Sequence, residues 1–114
     1  MKIYLLDFNI NITNAWNALF KDNPNVVISN DDFGNFLNSH KDVECIVSPG
    51  NSYGMMTGGF DGAITKYFGP KLMQKVQELI NTRYAGCQPV ASAFIMQIPD
   101  NSLKLIHCHC WTMN

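Results

Sequence analysis

Five glycines fall between Gly50 and Gly62, in a segment that opens on an apolar run and closes on Asp61 at the head of a helical pattern. Those residue types in that order build a site for an anion. Glycine tolerates positive φ and lets bare N–H groups approach a ligand closely. The helix that begins near Asp61 adds its own first N–H groups, which have no intrahelical partner and attract phosphate oxygens. A long turn is the bland alternative, but a preceding buried strand, Asn51 and a helix start together favour a ligand loop. Phosphate is the first expectation.

The elements that must hold this loop are legible as an alternation. Residues 2–6 read as a strand, followed by an Asn- and Asp-rich turn. Thr13 is expected to cap a helix running to Lys21, with Trp16, Leu19 and Phe20 on one buried face. Val26, Val27 and Ile28 form a short apolar run of the kind buried on both faces. The polar residues 29–32 then cap a helix to about Ser39, with Phe33, Phe36 and Leu37 inward. Residues 43–48 are a third strand, placing the glycine loop at the carboxyl end of a strand, where α/β sheets bind ligands. Ile64, Phe68, Leu72, Val76, Leu79 and Ile80 recur at helical spacing, broken by Gly69-Pro70. Residues 89–98 and 103–111 read as a hairpin around Pro99-Asp100-Asn101-Ser102. The sum is an α/β domain with a mixed sheet.

Composition narrows the function classes. A chain of 114 residues is expected to be a single domain over 1–114. A net charge of -1 gives no electrostatic reason to expect a nucleic-acid polymer as partner. No apolar run approaches the ~20 residues that span a bilayer, and no export signal is evident, so a cytoplasmic location with no membrane partner is expected. Cys45, Cys87, Cys108 and Cys110 are then reduced thiols, with Cys45 and Cys87 as inert fillers. His107-Cys108-His109-Cys110 invites a zinc reading. On a strand, however, histidines and cysteines alternate between faces and cannot converge tetrahedrally, so no metal is expected; a two-histidine surface site is the lesser alternative. His40 follows a helix end, where it favours the dipole. Tyr53 fills space beneath the loop or stacks on a ligand ring, and Met55 and Met56 either touch the ligand or anchor the loop.

Ser48-Pro49-Gly50-Asn51, followed by Gly58-Gly59-Phe60-Asp61-Gly62-Ala63-Ile64, resembles the strand end and Gly-Gly-Val-Asp-x-Ala-Ile signature of the macro domain, an ADP-ribose-binding module. The match is closest to a macro-like branch that carries Ser-Pro-Ala-Asn-Ser, and Trp16, Phe68-Gly69 and Trp111-Thr112-Met113 also have counterparts there. The resemblance implies a three-layer α/β/α fold with a mixed, mostly parallel sheet, C-terminally shortened because a later strand, helix and second phosphate loop are missing. It implies a ligand-binding set of Asp32, Phe33, Asn51, Ser52, Gly58, Gly59, Phe60 and Asp61. Within that set Asp32 reads adenine, with Asp31 as the alternative, and Asn51 hydrogen-bonds the distal ribose. Gly58, Gly59 and Phe60 surround the pyrophosphate. Asp61 is the residue that positions or activates water in hydrolytic members, and since a carboxylate repels phosphate it should face the ribose. Asn51 and Asp61 are thus the catalytic pair, with no cofactor. The implied partner is ADP-ribose or an ADP-ribosylated macromolecule. The implied reaction is hydrolysis of ADP-ribose 1''-phosphate or of an ADP-ribosyl linkage. A non-catalytic reader, a truncated inactive domain completed by a partner, and a homo-oligomer stay open. Ser48 departs from the family's general asparagine at that position.

Overall fold

β-branched and aromatic residues at the start of the chain form strand β1 (Ile3–Asp7), which pairs in parallel with β2 (Val26–Asn30). Parallel neighbours need a crossover, and helix α1 (Ile10–Phe20) supplies it. A computed structural model describes residues 1–109, and these divide into two compact units, Met1–Lys41 and a second that starts at Asp42.

In the first unit the helix begins earlier than Thr13. Asn9 is the N-cap, its side-chain oxygen accepting from Asn11 N at 2.9 Å, while Asp7 accepts from Asn9 N. Thr13 lies a turn inside and donates to the Ile10 carbonyl. The expected apolar face of α1 is not buried: Leu19 is 74% exposed, Phe20 is exposed and Trp16 is half-covered. Helical spacing identifies residues that share a face, but not whether another element covers it. β2 is likewise not buried on both faces: each of its residues is half-buried or exposed. Helix α2 (Phe33–Ser39) follows with Phe33, Phe36 and Leu37 inward, as its spacing indicated. Tyr4 packs edge-on to Phe36 and His40, and His40 stacks on Phe36 at 4.1 Å while its Nδ1 meets the Phe36 carbonyl at the helix end.

The second unit is built on β3 (Cys45–Gly50), β4 (Ala93–Gln97) and β5 (Lys104–His109) in the order β3-β5-β4. β3 and β5 run parallel and β4 runs antiparallel to β5, so the pairing is mixed and mostly parallel across the chain's two sheets. The turn from β4 to β5 is the expected hairpin, with Asp100 at φ 59 and Asn101 Oδ1 accepting from Leu103 N. Helices α3 (Gly59–Phe68) and α4 (Pro70–Tyr84) make the crossover between the parallel strands. Gly69 at φ 88 bends the chain between them, and Pro70 restarts the helix at a position where its missing N–H is not needed.

Strand alternation puts Ile46, Ser48 and Gly50 on one face, in register with Leu105, His107 and His109. Ile46 and Leu105 join Ile64, Leu72, Val76, Ile80, Phe94 and Met96 in the buried core. On the opposite face Val47 and Ile95 are exposed on either side of Ile106. Cys45 and Cys87 are surface residues rather than the expected fillers: one lies on the outward face of its strand and the other on the turn after α4. Among the described residues, no helix is long and apolar enough to cross a membrane.

Candidate ligand-binding site

Ser48 lies on the inward face of β3 one turn of pleat before the chain leaves the sheet, and it is fully buried. Its hydroxyl donates to Asp61 Oδ1 at 2.5 Å. Asp61 sits in the first turn of α3 and is only 6% exposed. Burial pushes its carboxyl above the ordinary carboxylate range, and the Ser48 hydrogen bond pulls the other way. Ser48 is therefore tied to the helix that carries the acidic group.

The loop between them is held by its own polar groups. Asn51 Oδ1 accepts from the backbone N–H of Tyr53 and of Met55, each at 3.1 Å, and its amide donates to the Met55 carbonyl at 2.8 Å. Met56 is fully buried beneath the loop, with its N–H directed at Met73 sulfur and its carbonyl accepting from Thr65. Gln77 reaches the Gly54 carbonyl. Gly62 permits the close approach of α3: a β-carbon there would lie 3.0 Å from the Thr57 carbonyl oxygen. Gly59 takes φ +57, which glycine adopts without penalty.

A second set of bonds holds the base of the loop. Gln88 is fully buried, and its N–H donates to the Ser52 carbonyl at 2.8 Å. Its side-chain amide donates to the Ser92 and His107 carbonyls. With both amide hydrogens spent on carbonyls, Gln88 Oε1 must be the atom at 2.7 Å from His107 Nδ1, so Nδ1 carries the proton. Burial, with His109 adding to it, lowers the His107 pKa to about 4, so this ring is neutral at physiological pH. The ring occupies the space where a β-carbon at Gly50 would be. Both strand histidines are buried, which removes the surface two-histidine site. Among the described residues there is no group of three or more His, Cys, Asp or Glu that could hold a metal ion; Cys110 lies outside them, as does the stretch from Trp111 to Met113.

Above these supports opens a cleft of about 460 Å³, within the range of small-molecule sites. Pro49, Met55 and Phe60 form apolar walls, Asn51, Thr57 and Asp61 are its polar groups, and Gly58 and Gly59 complete the lining. Nothing lies within 4 Å of where a β-carbon would stand at either of these two glycines. Gly58 is also the N-cap of α3 and offers no side-chain cap, so the helix start faces the cleft without a competing side chain. None of the lining residues is cationic.

A family model described as the macro-like domain matches residues 7–109. The chain belongs to that family. Among solved structures it is similar to a mutant macrodomain from Oceanobacillus iheyensis, at 28% identity and a TM-score of 0.53. That match covers 59% of this chain and 37% of the Oceanobacillus chain, so this macro-like chain aligns with well under half of its relative's length.

Of the residues singled out from the sequence, Asn51, Gly58, Gly59, Phe60 and Asp61 line one cleft. Ser52 is buried and meets Gln88 through its carbonyl. Asp32 and Phe33 belong to the first unit, where Asp32 is the N-cap of α2, accepting from Asn35 N at 2.8 Å, and Phe33 is buried. Tyr53 is half-exposed and does not fill space under the loop. The two methionines divide: Met55 lines the cleft and Met56 anchors the loop. Sequence reasoning missed Pro49 and Thr57 as lining residues and Gln88 as a support. Pro49 and Thr57 flank residues already chosen, which was the available signal; Gln88 has none, since its role arises only where the turn after α4 meets β5.

Proposed function

We propose that this macro-like domain binds ADP-ribose or a close derivative in the cleft between the end of β3 and the start of α3. The observation that carries the reading is the uncapped α3 N-terminus opening, beside Gly58 and Gly59, into a cleft that also holds a buried carboxyl. Backbone N–H groups at such a terminus suit pyrophosphate oxygens, and with the loop already pinned by Asn51 little ordering is needed on binding. The apolar walls suit the faces of a ribose or base. Titration calorimetry of the chain with ADP-ribose, with AMP as control, tests this. Saturable binding that AMP does not reproduce is the expected result, and absence of binding by the folded chain refutes it.

The catalytic form of the reading is hydrolysis at the distal ribose, removing a 1''-phosphate or releasing ADP-ribose from a modified side chain or base. Asp61 takes a proton from water as the water oxygen attacks, and the leaving group departs with the electron pair of the broken bond. A carboxyl pushed upward by burial is a better base near neutral pH than an exposed one. Asn51, whose oxygen is committed to the loop, orients the ribose through its amide N–H.

The same commitment of Asn51 favours a second reading, a binder without turnover, in which the amide shapes the loop and does not touch the reacting group. Release of phosphate from ADP-ribose 1''-phosphate, or of ADP-ribose from a modified protein or oligonucleotide, separates the two. A reader shows neither, and keeps its affinity for ADP-ribose when Asp61 is replaced by Ala.

A further inference from the structure

The side chain at position 48 has one proton to give, and it gives it to Asp61 Oδ1 from a site with no solvent access. Three facts make that bond more than a packing detail. Ser48 does not line the cleft, whereas Asp61 does. The two side chains belong to different elements, β3 and α3, so the bond sets the rotation of the carboxyl relative to the sheet as well as joining the elements. Across the strands Ser48 is in register with His107, a neutral ring whose one N–H, at Nδ1, is directed at Gln88, so its Nε2 has no hydrogen to donate to the Asp61 carboxylate.

We propose that Ser48 is a positioning residue for Asp61: its hydroxyl proton occupies Oδ1, so that the second oxygen, Oδ2, is the one presented to whatever fills the cleft. The inference deepens the ADP-ribose reading and rests on it for the identity of the occupant. With Oδ1 taken, one acceptor oxygen remains to meet a ribose hydroxyl or a water, and its direction is fixed by the strand rather than by the ligand. Among the described residues that line the cleft Asp61 alone ionises, so no other lining group can take over this role.

The test uses two replacements in the full chain. Ser48→Ala removes the proton, and Ser48→Cys keeps nearly the same volume while offering only a weak donor. The carboxyl carbon of Asp61, assigned by its disappearance in Asp61→Asn, is titrated by NMR in the ligand-free protein. Loss of a hydrogen bond to the charged form is expected to move its midpoint up by about one to two pH units in both variants. In the wild-type protein, the pH dependence of ADP-ribose affinity or turnover should carry the Asp61 midpoint, and in both variants it should move with that carboxyl. An unchanged midpoint in both variants overturns the proposal, and so does a change in Ser48→Ala that Ser48→Cys fails to reproduce, which would assign position 48 to packing alone. If the Asp61 midpoint moves as expected but the wild type does not bind ADP-ribose, the ligand reading fails while Ser48 keeps its role.

Discussion

Gly58→Ala should leave the stability of this protein nearly unchanged and lower its affinity for ligand. Gly58 has φ −129 and ψ 163, a conformation open to any L-residue, and no atom lies within 4 Å of the position its β-carbon would take. Replacing glycine where the backbone is compatible stabilises by about 0.4–1 kcal/mol, because the unfolded chain has fewer states to lose, but alanine is a poorer N-cap than glycine by about the same amount, so the two effects offset each other. For a chain of this size Tm should therefore stay within about 5 °C of the wild type. The empty volume belongs to the cleft, so the new methyl group stands where the ligand approaches the helix start. Crowding of that kind costs about 1–3 kcal/mol, or roughly a 5- to 150-fold weaker Kd for ADP-ribose. Denaturant or thermal melts and calorimetric titration on the same preparation read both quantities. A fall in Tm well beyond about 5 °C would show that Gly58 is needed by the fold, and an unchanged Kd would show that the occupant does not reach the helix start. Gly62→Ala is the internal contrast: its β-carbon would press on the Thr57 carbonyl at 3.0 Å, a strain of about 1–3 kcal/mol against the roughly 1 kcal/mol that alanine gains inside a helix, so the net effect should be a destabilisation of up to about 2 kcal/mol.

Three further outcomes are expected. Burial holds the folded His107 pKa at about 4 against an ordinary 6.5, so its contribution is complete above pH 6.5 and is lost as pH falls towards 4, by at most about 3 kcal/mol; His107→Asn, with an amide N–H for Gln88, should flatten that limb in denaturant melts across pH. Asp61 acts with the opposite sign, since its raised carboxyl favours the fold as it takes up a proton in acid, and Asp61→Asn should remove that gain while reducing any turnover by about 10²–10⁴-fold. Gln88→Ala leaves the buried Nδ1 proton of His107 without its acceptor and takes one donor from the His107 carbonyl and one from the Ser92 carbonyl, which keeps His109 N, and should cost about 1–3 kcal/mol in the same melts.

What could be read from the sequence follows from which interactions are local. The helix break at Gly69-Pro70, the hairpin turn at residues 99–102 and the inward face of α2 depend on neighbours in sequence, and each is in place. The face of α1 and the two-sided burial of β2 depended on what would cover them, which periodicity does not encode, and there the expectations fail. The cleft divides in the same way. The glycine pattern located its floor because positive φ and close approach leave a mark on residue type. Its support by Gln88 and His107 left none, because a buried glutamine and a strand histidine acquire meaning only through a contact separated by 19 residues.

The electrostatics of the cleft then constrain how an anion would be held. With Asp61 buried in it and no lysine or arginine among its lining, attraction must come from backbone dipoles at the start of α3 and from the loop. Such donors are fixed before the ligand arrives, through Asn51, Thr65 and the Gln88–Ser52 bond, so they act without reorganisation. The carboxyl works against that attraction when ionised, and its upward shift lessens the conflict by making the neutral form accessible closer to neutrality. A phosphate held this way should gain affinity as Asp61 takes up a proton, whereas a ribose hydroxyl donating to Oδ2 should lose it. The sign of the pH dependence of ADP-ribose binding therefore reports which part of the ligand lies against Asp61.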